Sequence, residues 1–327
     1  MVVHTRTGTL DSLQIIGRSP SITRLKARIP HLAADSGPLV ITGETGNGKS
    51  LLASQIHLHS PRKSIPLQKI NFSILAEREQ RRALFGGGPP ELASNRRSLL
   101  EIPSTLIIKH IDYASPFLQE KLVEALATRK FTRLGTNSVQ FAQARLIFTF
   151  RYSLSDLNRR NRIIEPLYRS LSQFQQISIP PLRKRKEDIL PLANYFFKDF
   201  IHRYHRTSQD HPPIILGLTK GGKLEPGLKN LLLKQSWPEN VLGLKAYLRS
   251  LVVGSYREAW VHQERVELMK MNLMIEEGSE FSLRQSLLII EEGIIQRALA
   301  KNAGHRTRAA QLLGITDRAY RRKKISA

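Results

Sequence analysis

The sequence predicts a parallel α/β domain over residues 11–180, an all-helical region over 181–272 and a basic, all-α C-terminal unit over 281–327. Three observations carry this. Short apolar runs alternate with helix-like segments through the first half, the pattern becomes helical after Pro180-Pro181, and the last thirty residues or so are basic at helical spacing. Pro38–Thr42, Pro66–Phe72, Ser104–Ile108, Ala144–Phe150 and Gln175–Ile179 are each bounded by polar or turn residues and are predicted as buried strands. Between them, Ser115–Thr128 is predicted as a helix: Ser115 is a candidate N-cap, Pro116 suits the first turn, and Leu118, Leu122 and Leu126 recur on one face. Beyond residue 181, Ile189, Leu192, Ala193, Phe196, Phe197 and Phe200 mark an apolar helix face. Leu228–Leu233 and Val241–Val253 are two further helices, with loops expected at Thr207–Pro213 and Thr219–Lys223.

Composition bounds the function. The chain has 327 residues, with 51 Lys and Arg against 27 Asp and Glu, a formal net charge of +24 that calls for an acidic partner; nucleic acid is the foremost candidate and anionic lipid a weaker second. Residues 297–327 hold nine basic side chains against the single Asp317. The absence of cysteine excludes disulfides, iron–sulfur clusters and thiolate zinc sites. No apolar run reaches the ~18 residues of a membrane span, and Met1–Arg6 lacks a signal-peptide core, so a cytoplasmic protein without a membrane partner is expected.

Gly43-Glu44-Thr45-Gly46-Asn47-Gly48-Lys49-Ser50 fits the G-x-x-x-x-G-K-[ST] pattern, after one predicted strand and before the helical run that starts at Leu51. Glycines let the chain turn so that backbone N–H groups face phosphates, Lys49 meets the β/γ oxygens, and Ser50 is the candidate Mg²⁺ ligand. ATP or ADP is therefore the expected ligand. Hydrolysis also requires acids at the end of a neighbouring strand to hold the metal and polarise water. That strand ends in Lys109-His110, of the wrong charge; Asp112 is the nearest acid and is expected to lie past the strand and point elsewhere.

These motifs together resemble the AAA+ domain of bacterial enhancer-binding proteins, the activators of sigma-54 RNA polymerase, over roughly residues 11–325. Ile15–Pro20 resembles the family's adenine-side segment, which makes Ile16 and Gly17 candidate nucleotide contacts beside Gly43–Leu51. His57–Arg62 resembles the end of the next helix, so His57 and His59 are helix residues. Leu84-Phe85-Gly86, Pro180–Ile189 and Trp237–Val241 resemble the LFG, PPLRERKEDI and WPGNV boxes. Gly304–Ile315 resembles the start of a Fis-type helix-turn-helix. In that unit Ala309-Ala310 and Leu312-Leu313 are expected to be buried, Gly314 to turn the chain and Thr316 to cap a recognition helix over 317–324. Arg306 and Arg308 suit phosphates, while Arg318, Arg321, Arg322 and Lys323 suit the groove.

Departures from the family narrow the function. Lys109 and His110 stand at the acidic pair, and Phe150 and Arg151 near the sensor. Ile164 and Ser170 occupy the positions of two intersubunit arginines, and Leu242 that of the second-sensor arginine. The sigma-54-contacting GAFTGA loop does not follow Gly86. The resemblance, so altered, implies a DNA-binding transcriptional regulator that binds ATP or ADP with little or no hydrolysis. It implies self-association into a dimer or ring, with RNA polymerase or an active relative as a further partner. Two other readings stay open: an active ATPase using the displaced Asp112, Arg162 and Arg169, and a nucleic-acid-binding scaffold using the basic surface that includes Arg159, Arg160 and Arg183–Lys186.

Overall fold

The structure, a computed structural model, describes residues 3–5, 14–87, 97–135, 137–207, 219–220, 223–224, 226–253, 271, 274–275, 282–301 and 305–315. In chain order β1 (Val3–Thr5), α1 (Pro20–Ala34), β2 (Leu39–Thr42), α2 (Lys49–Leu58), β3 (Leu67–Asn71), α3 (Glu77–Phe85), β4 (Thr105–Lys109) and α4 (Pro116–Thr128) lead to β5 (Lys130–Thr132) and β6 (Val139–Phe141). Next come β7 (Arg145–Phe150), α5 (Leu154–Arg159), α6 (Glu165–Ser172) and β8 (Gln175–Ser178). They are followed by α7 (Ile189–Thr207), β9 (Thr219–Lys220), β10 (Lys223–Leu224), α8 (Pro226–Lys234), α9 (Asn240–Val253), α10 (Leu283–Lys301) and α11 (Arg306–Leu312).

The main sheet runs β1-β3-β4-β7-β2-β8, all pairs parallel except β1 on β3. Each apolar run thus became a strand, and continuous apolar runs suit strands covered on both faces. Alternation divides the side chains. Leu39, Ile41, Leu67, Ile107, Ile147 and Ile177 join residues of α1 and α2 in one core. Val40, Ile70, Leu106, Ile108, Phe148 and Phe150 join residues of α4 and α6 in the other. Two elements carry no clear period and were not anticipated: the edge strand β1, before the expected start at residue 11, and the β5–β6 hairpin.

Several local expectations need correction. Ser115 stands at the N-cap of α4, but its side chain makes no capping hydrogen bond. Thr219–Lys223, expected as a loop, contributes to two short antiparallel strands, β9 and β10. Of the loop expected over 207–213, Thr207 is the last residue of α7 and the rest lies outside the described residues.

The chain divides into two compact units, Met1–Tyr195 with Lys229–Leu242, and Phe196–Leu228 with Gly243–Ala327. The helical region expected over 181–272 is shared between them. No helix among the described residues is long and apolar enough to cross a membrane.

Two buried basic groups tie α1 and α2 to the sheet. Arg145, 2 % exposed, donates to the carbonyls of Leu32 (2.6 Å), Ala33 (3.4 Å) and Gly37 (3.4 Å), which lie at or just beyond the end of α1. His57, wholly buried, shares a 2.9 Å hydrogen bond between Nδ1 and Thr105 Oγ1, and burial, aided by the charge of Arg145, holds its pKa below the ordinary histidine value. A base with a depressed folded pKa is protonated first in the unfolded chain, so stability is present above the unfolded pKa of ~6.5 and is lost as pH falls below it. The unfolding free energy of the wild-type chain is therefore expected to fall between pH 7 and pH 5, with up to about 1.4 kcal/mol per pH unit from this one proton, and the melting temperature to fall with it. His57→Asn, which retains an amide near the Nδ1 position, should show a shallower decline; an identical decline in both proteins would remove His57 as its source.

Candidate functional site

The phosphate loop leaves the C-terminal end of β2, which is flanked in the sheet by β7 and β8. Gly43 N–H donates to the Phe150 carbonyl at 3.1 Å, and Gly43, Gly46 and Gly48 have φ of 148°, 75° and 93°. Gly48 stands at the N-cap of α2 in the left-handed region, so α2 begins at Lys49 with its first N–H groups turned towards the loop. Lys49 Nζ lies 2.6 Å from the Gly43 carbonyl and 2.8 Å from that of Glu44, which centres its charge on the loop. Ser50 and Leu51 occupy the first turn and are half-buried.

The loop is bound to segments distant in sequence. Asn240 donates from Nδ2 to the Thr45 carbonyl (2.9 Å) and to Glu44 (3.2 Å), and its Oδ1 accepts from Leu182 N–H (2.7 Å). Val241 N–H donates to Gly46 O at 3.1 Å. Glu44 takes a two-pronged contact from Arg183, one arm at 2.6 Å, and that hydrogen bonding holds its carboxyl below the usual range. Asn47 donates to the Ile179 carbonyl at 2.9 Å. Leu242 lies against Gly46.

At the segment expected to face the adenine, Ile16 and Gly17 are half-buried, and the chain after them is clamped by Asp188. This carboxylate, wholly buried, accepts from Arg18 N–H (2.6 Å), Ser19 N–H (2.7 Å) and Ser19 Oγ (2.7 Å), and faces the buried Arg185 at 3.5 Å. Lys26 Nζ donates to the Gly17 carbonyl at 2.9 Å. Asp188 and Asn240 are legible in the sequence only as members of the Pro180–Ile189 and Trp237–Val241 segments, and nothing local distinguishes them from their polar neighbours.

The strand ends beside the loop carry positive charge. β4 closes on Lys109, in register with Thr149 of β7 and Asn71 of β3. His110 follows with φ of 58°, its N–H bound to the Thr149 carbonyl at 3.1 Å. Arg151 comes directly after Phe150, whose carbonyl holds Gly43. Burial, then the charges of Lys109 and Arg151, push Lys49 down to about 8, with Glu44 opposing. Burial and the charges of Lys49, Lys109 and Arg151 push His110 down to about 4, so it is neutral at pH 7. Lys69 was missed by sequence reading. It lies on β3, on the sheet face shared with Lys109 and α2, and burial followed by Lys109 brings it to about 8. A lysine within an apolar strand was the available signal.

Asp112 lies in the 3₁₀ turn Ile111–Tyr113, past the strand end as expected. Its carboxylate is 4.0 Å from His110 Nδ1 and 3.8 Å from Arg162, and burial raises its pKa. Arg162 also stacks over the Tyr113 ring at 4.5 Å, and Arg169 pairs with Glu165 at 2.8 Å. The displaced residues of the active-ATPase reading thus engage partners within the chain. The site as built can hold phosphate oxygens.

In the second unit, α10 and α11 pack through Ala298, Ala309 and Ala310 with Ile295, Leu299, Leu313 and Ile315. Leu312, expected in this core, is 54 % exposed because it points to the opposite side of α11. The turn is made as expected: Gly314 has φ of 64°, its N–H bonds to Gln311 O, and Ile315 N–H bonds to Ala310 O, the two hydrogen bonds of a Schellman cap. Arg306 and Arg308 are exposed on α11. Thr316, Arg318, Arg321, Arg322 and Lys323 lie outside the described residues.

Comparison with known proteins places these features in context. Residues 15–177 match the Sigma-54 interaction domain family and residues 286–323 the Fis family of bacterial regulatory proteins. The chain is 30 % identical over 313 residues to the transcriptional regulatory protein ZraR of Escherichia coli K12, spanning 94 % of this chain and 67 % of the relative. It is 29 % identical over 316 residues to the regulatory protein AtoC of the same organism, spanning 93 % and 66 %. The chain thus spans about two thirds of the length of these relatives. In fold it is similar to the crystal structure of NtrX from Brucella abortus in complex with ADP, with a TM-score of 0.64 at 22 % identity over 98 % of this chain and 70 % of that one.

Proposed function

The chain belongs to the sigma-54 interaction domain family of bacterial transcriptional regulators with a Fis-type helix-turn-helix, and from that premise we propose that it binds ATP or ADP as a structural ligand, with little or no hydrolysis. The observation that carries this reading is the contrast between an intact phosphate loop around Lys49 and a neighbouring strand that ends in Lys109 and a neutral His110. Among the described residues that strand end carries no acid, and Asp112, three residues beyond Lys109, is engaged by Arg162. The nucleotide-binding domain is 11–180, the lid 181–272 and the DNA-binding domain 281–327. DNA is held by Arg306 and Arg308 on phosphates and by Thr316, Arg318, Arg321, Arg322 and Lys323 from the recognition helix. The protein works in the cytoplasm as a homo-oligomer, without the sigma-54-contacting loop, alongside RNA polymerase or an active relative.

The test measures nucleotide binding and phosphate release on one preparation. Saturable binding that is lost in Lys49→Ala, with release well below about 1 s⁻¹ in the presence and absence of DNA, is the expected result. Release at about that rate or above would return Asp112 to a catalytic role.

A further inference from the structure

A divalent metal usually accompanies a nucleotide in a phosphate loop, and the residues here do not fit one. Mg²⁺ seeks carboxylate oxygens and water at the end of the neighbouring strand. That position holds Lys109, with His110 next and Arg151 just past the adjoining strand, and among the described residues no three His, Asp or Glu side chains converge on a common point. Glu44, the carboxylate that acts on Lys49, is taken up by Arg183 and Asn240.

We propose that this site takes a nucleoside di- or triphosphate without a divalent cation, Lys109 supplying beside the phosphates the positive charge that a metal would otherwise bring, with Lys69 behind it on the same sheet face reinforcing the field. The inference rests on the nucleotide-binding reading above and adds how the ligand's charge is neutralised. Register supports it. Lys109 pairs with Asn71 across β3 and β4, and Lys69, two residues before Asn71, shares its sheet face, so both ammonium groups rise from the face on which α2 and Lys49 lie. Crowding supports it as well. Lys49 and Lys69 are both held at about 8 by burial and by Lys109, a cost that a polyanion relieves and a metal ion increases.

The test titrates a fluorescent ATP analogue against the full chain in EDTA and in excess Mg²⁺. Wild-type protein is expected to bind at least as tightly in EDTA as in Mg²⁺. Lys109→Asp should lose about tenfold or more in EDTA and recover with Mg²⁺, while Lys69→Met should weaken binding in EDTA by severalfold. Lys109→Met, which cannot recruit a metal, should stay weak in both buffers, and thermal melting establishes that each variant folds. Wild-type binding that falls about tenfold or more in EDTA overturns the metal-free site but leaves the nucleotide-binding reading in place. Absence of binding in both buffers overturns both. Unchanged affinity in both Lys109 variants removes Lys109 from the role.

Discussion

Asp188→Ala is expected to lower the unfolding free energy by about 3–5 kcal/mol, among the larger effects of a single substitution. The carboxylate is wholly buried and accepts from two backbone amides and one hydroxyl, all within 2.7 Å, while Arg185 stands 3.5 Å away at 3 % exposure. Alanine leaves the Arg18 and Ser19 amides without their acceptor and the buried Arg185, still bonded to the Pro180 and Asn47 carbonyls, without its counter-charge, and each loss carries a desolvation penalty. Asp188→Asn, which retains one acceptor oxygen but no charge, should fall between. Urea denaturation monitored on the main-sheet unit gives the difference from the midpoint shift at constant slope. A loss below about 1 kcal/mol would mean that water replaces the clamp. Nucleotide affinity should fall with it, since Gly17 and Ile16 are positioned through the same residues.

Gly46→Ala should abolish nucleotide binding, with affinity falling by more than about a hundredfold. Gly46 has φ of 75°, and a Cβ there would stand 2.0 Å from the Glu239 carbonyl, a backbone atom that no rotamer change can move. Relief requires the loop and the 239–241 segment to separate, breaking the 3.1 Å bond from Val241 and the 2.9 Å bond from Asn240 to Thr45. The stability cost is about 2–4 kcal/mol, from left-handed strain and the displaced backbone together. Gly48→Ala is the internal control. Its φ is 93°, but nothing lies within 4 Å of the added methyl, so only the conformational cost of about 1 kcal/mol applies. Equal affinities for the two variants would show that φ alone, and not the Glu239 contact, governs the loop.

Much of the main sheet was legible because its strands are continuous apolar runs. Val40, Ile108 and Phe148 lie in one core and Ile41, Ile107 and Ile147 in the other, an arrangement that needs both faces covered and leaves little choice of register. The hairpin escaped notice because only Phe131 among its six residues is buried, and β1 because three residues held by backbone hydrogen bonds carry no period. At the candidate site, Gly43–Ser50 announced itself through local chemistry. Asp188, Asn240 and Lys69 did not, since their partners lie far away in sequence: 170 residues separate Asp188 from Arg18, and 196 separate Asn240 from Glu44. A local window shows which side chains are polar but not what they meet.

That long reach from Asn240 back to Thr45 sets an order of events at the ribosome. The loop's amides and Lys49 emerge early, but the side chain that holds the loop follows 195 residues later. At about 5–20 residues per second, synthesis takes roughly 10–40 s to cover that distance. During this interval the nascent chain carries every atom of the phosphate loop without the contact that shapes it. Under the proposed function, ligand capture therefore belongs to a late stage of biogenesis, after the segment around Trp237 has emerged, and a chain arrested before that point has the motif without the Asn240 contact.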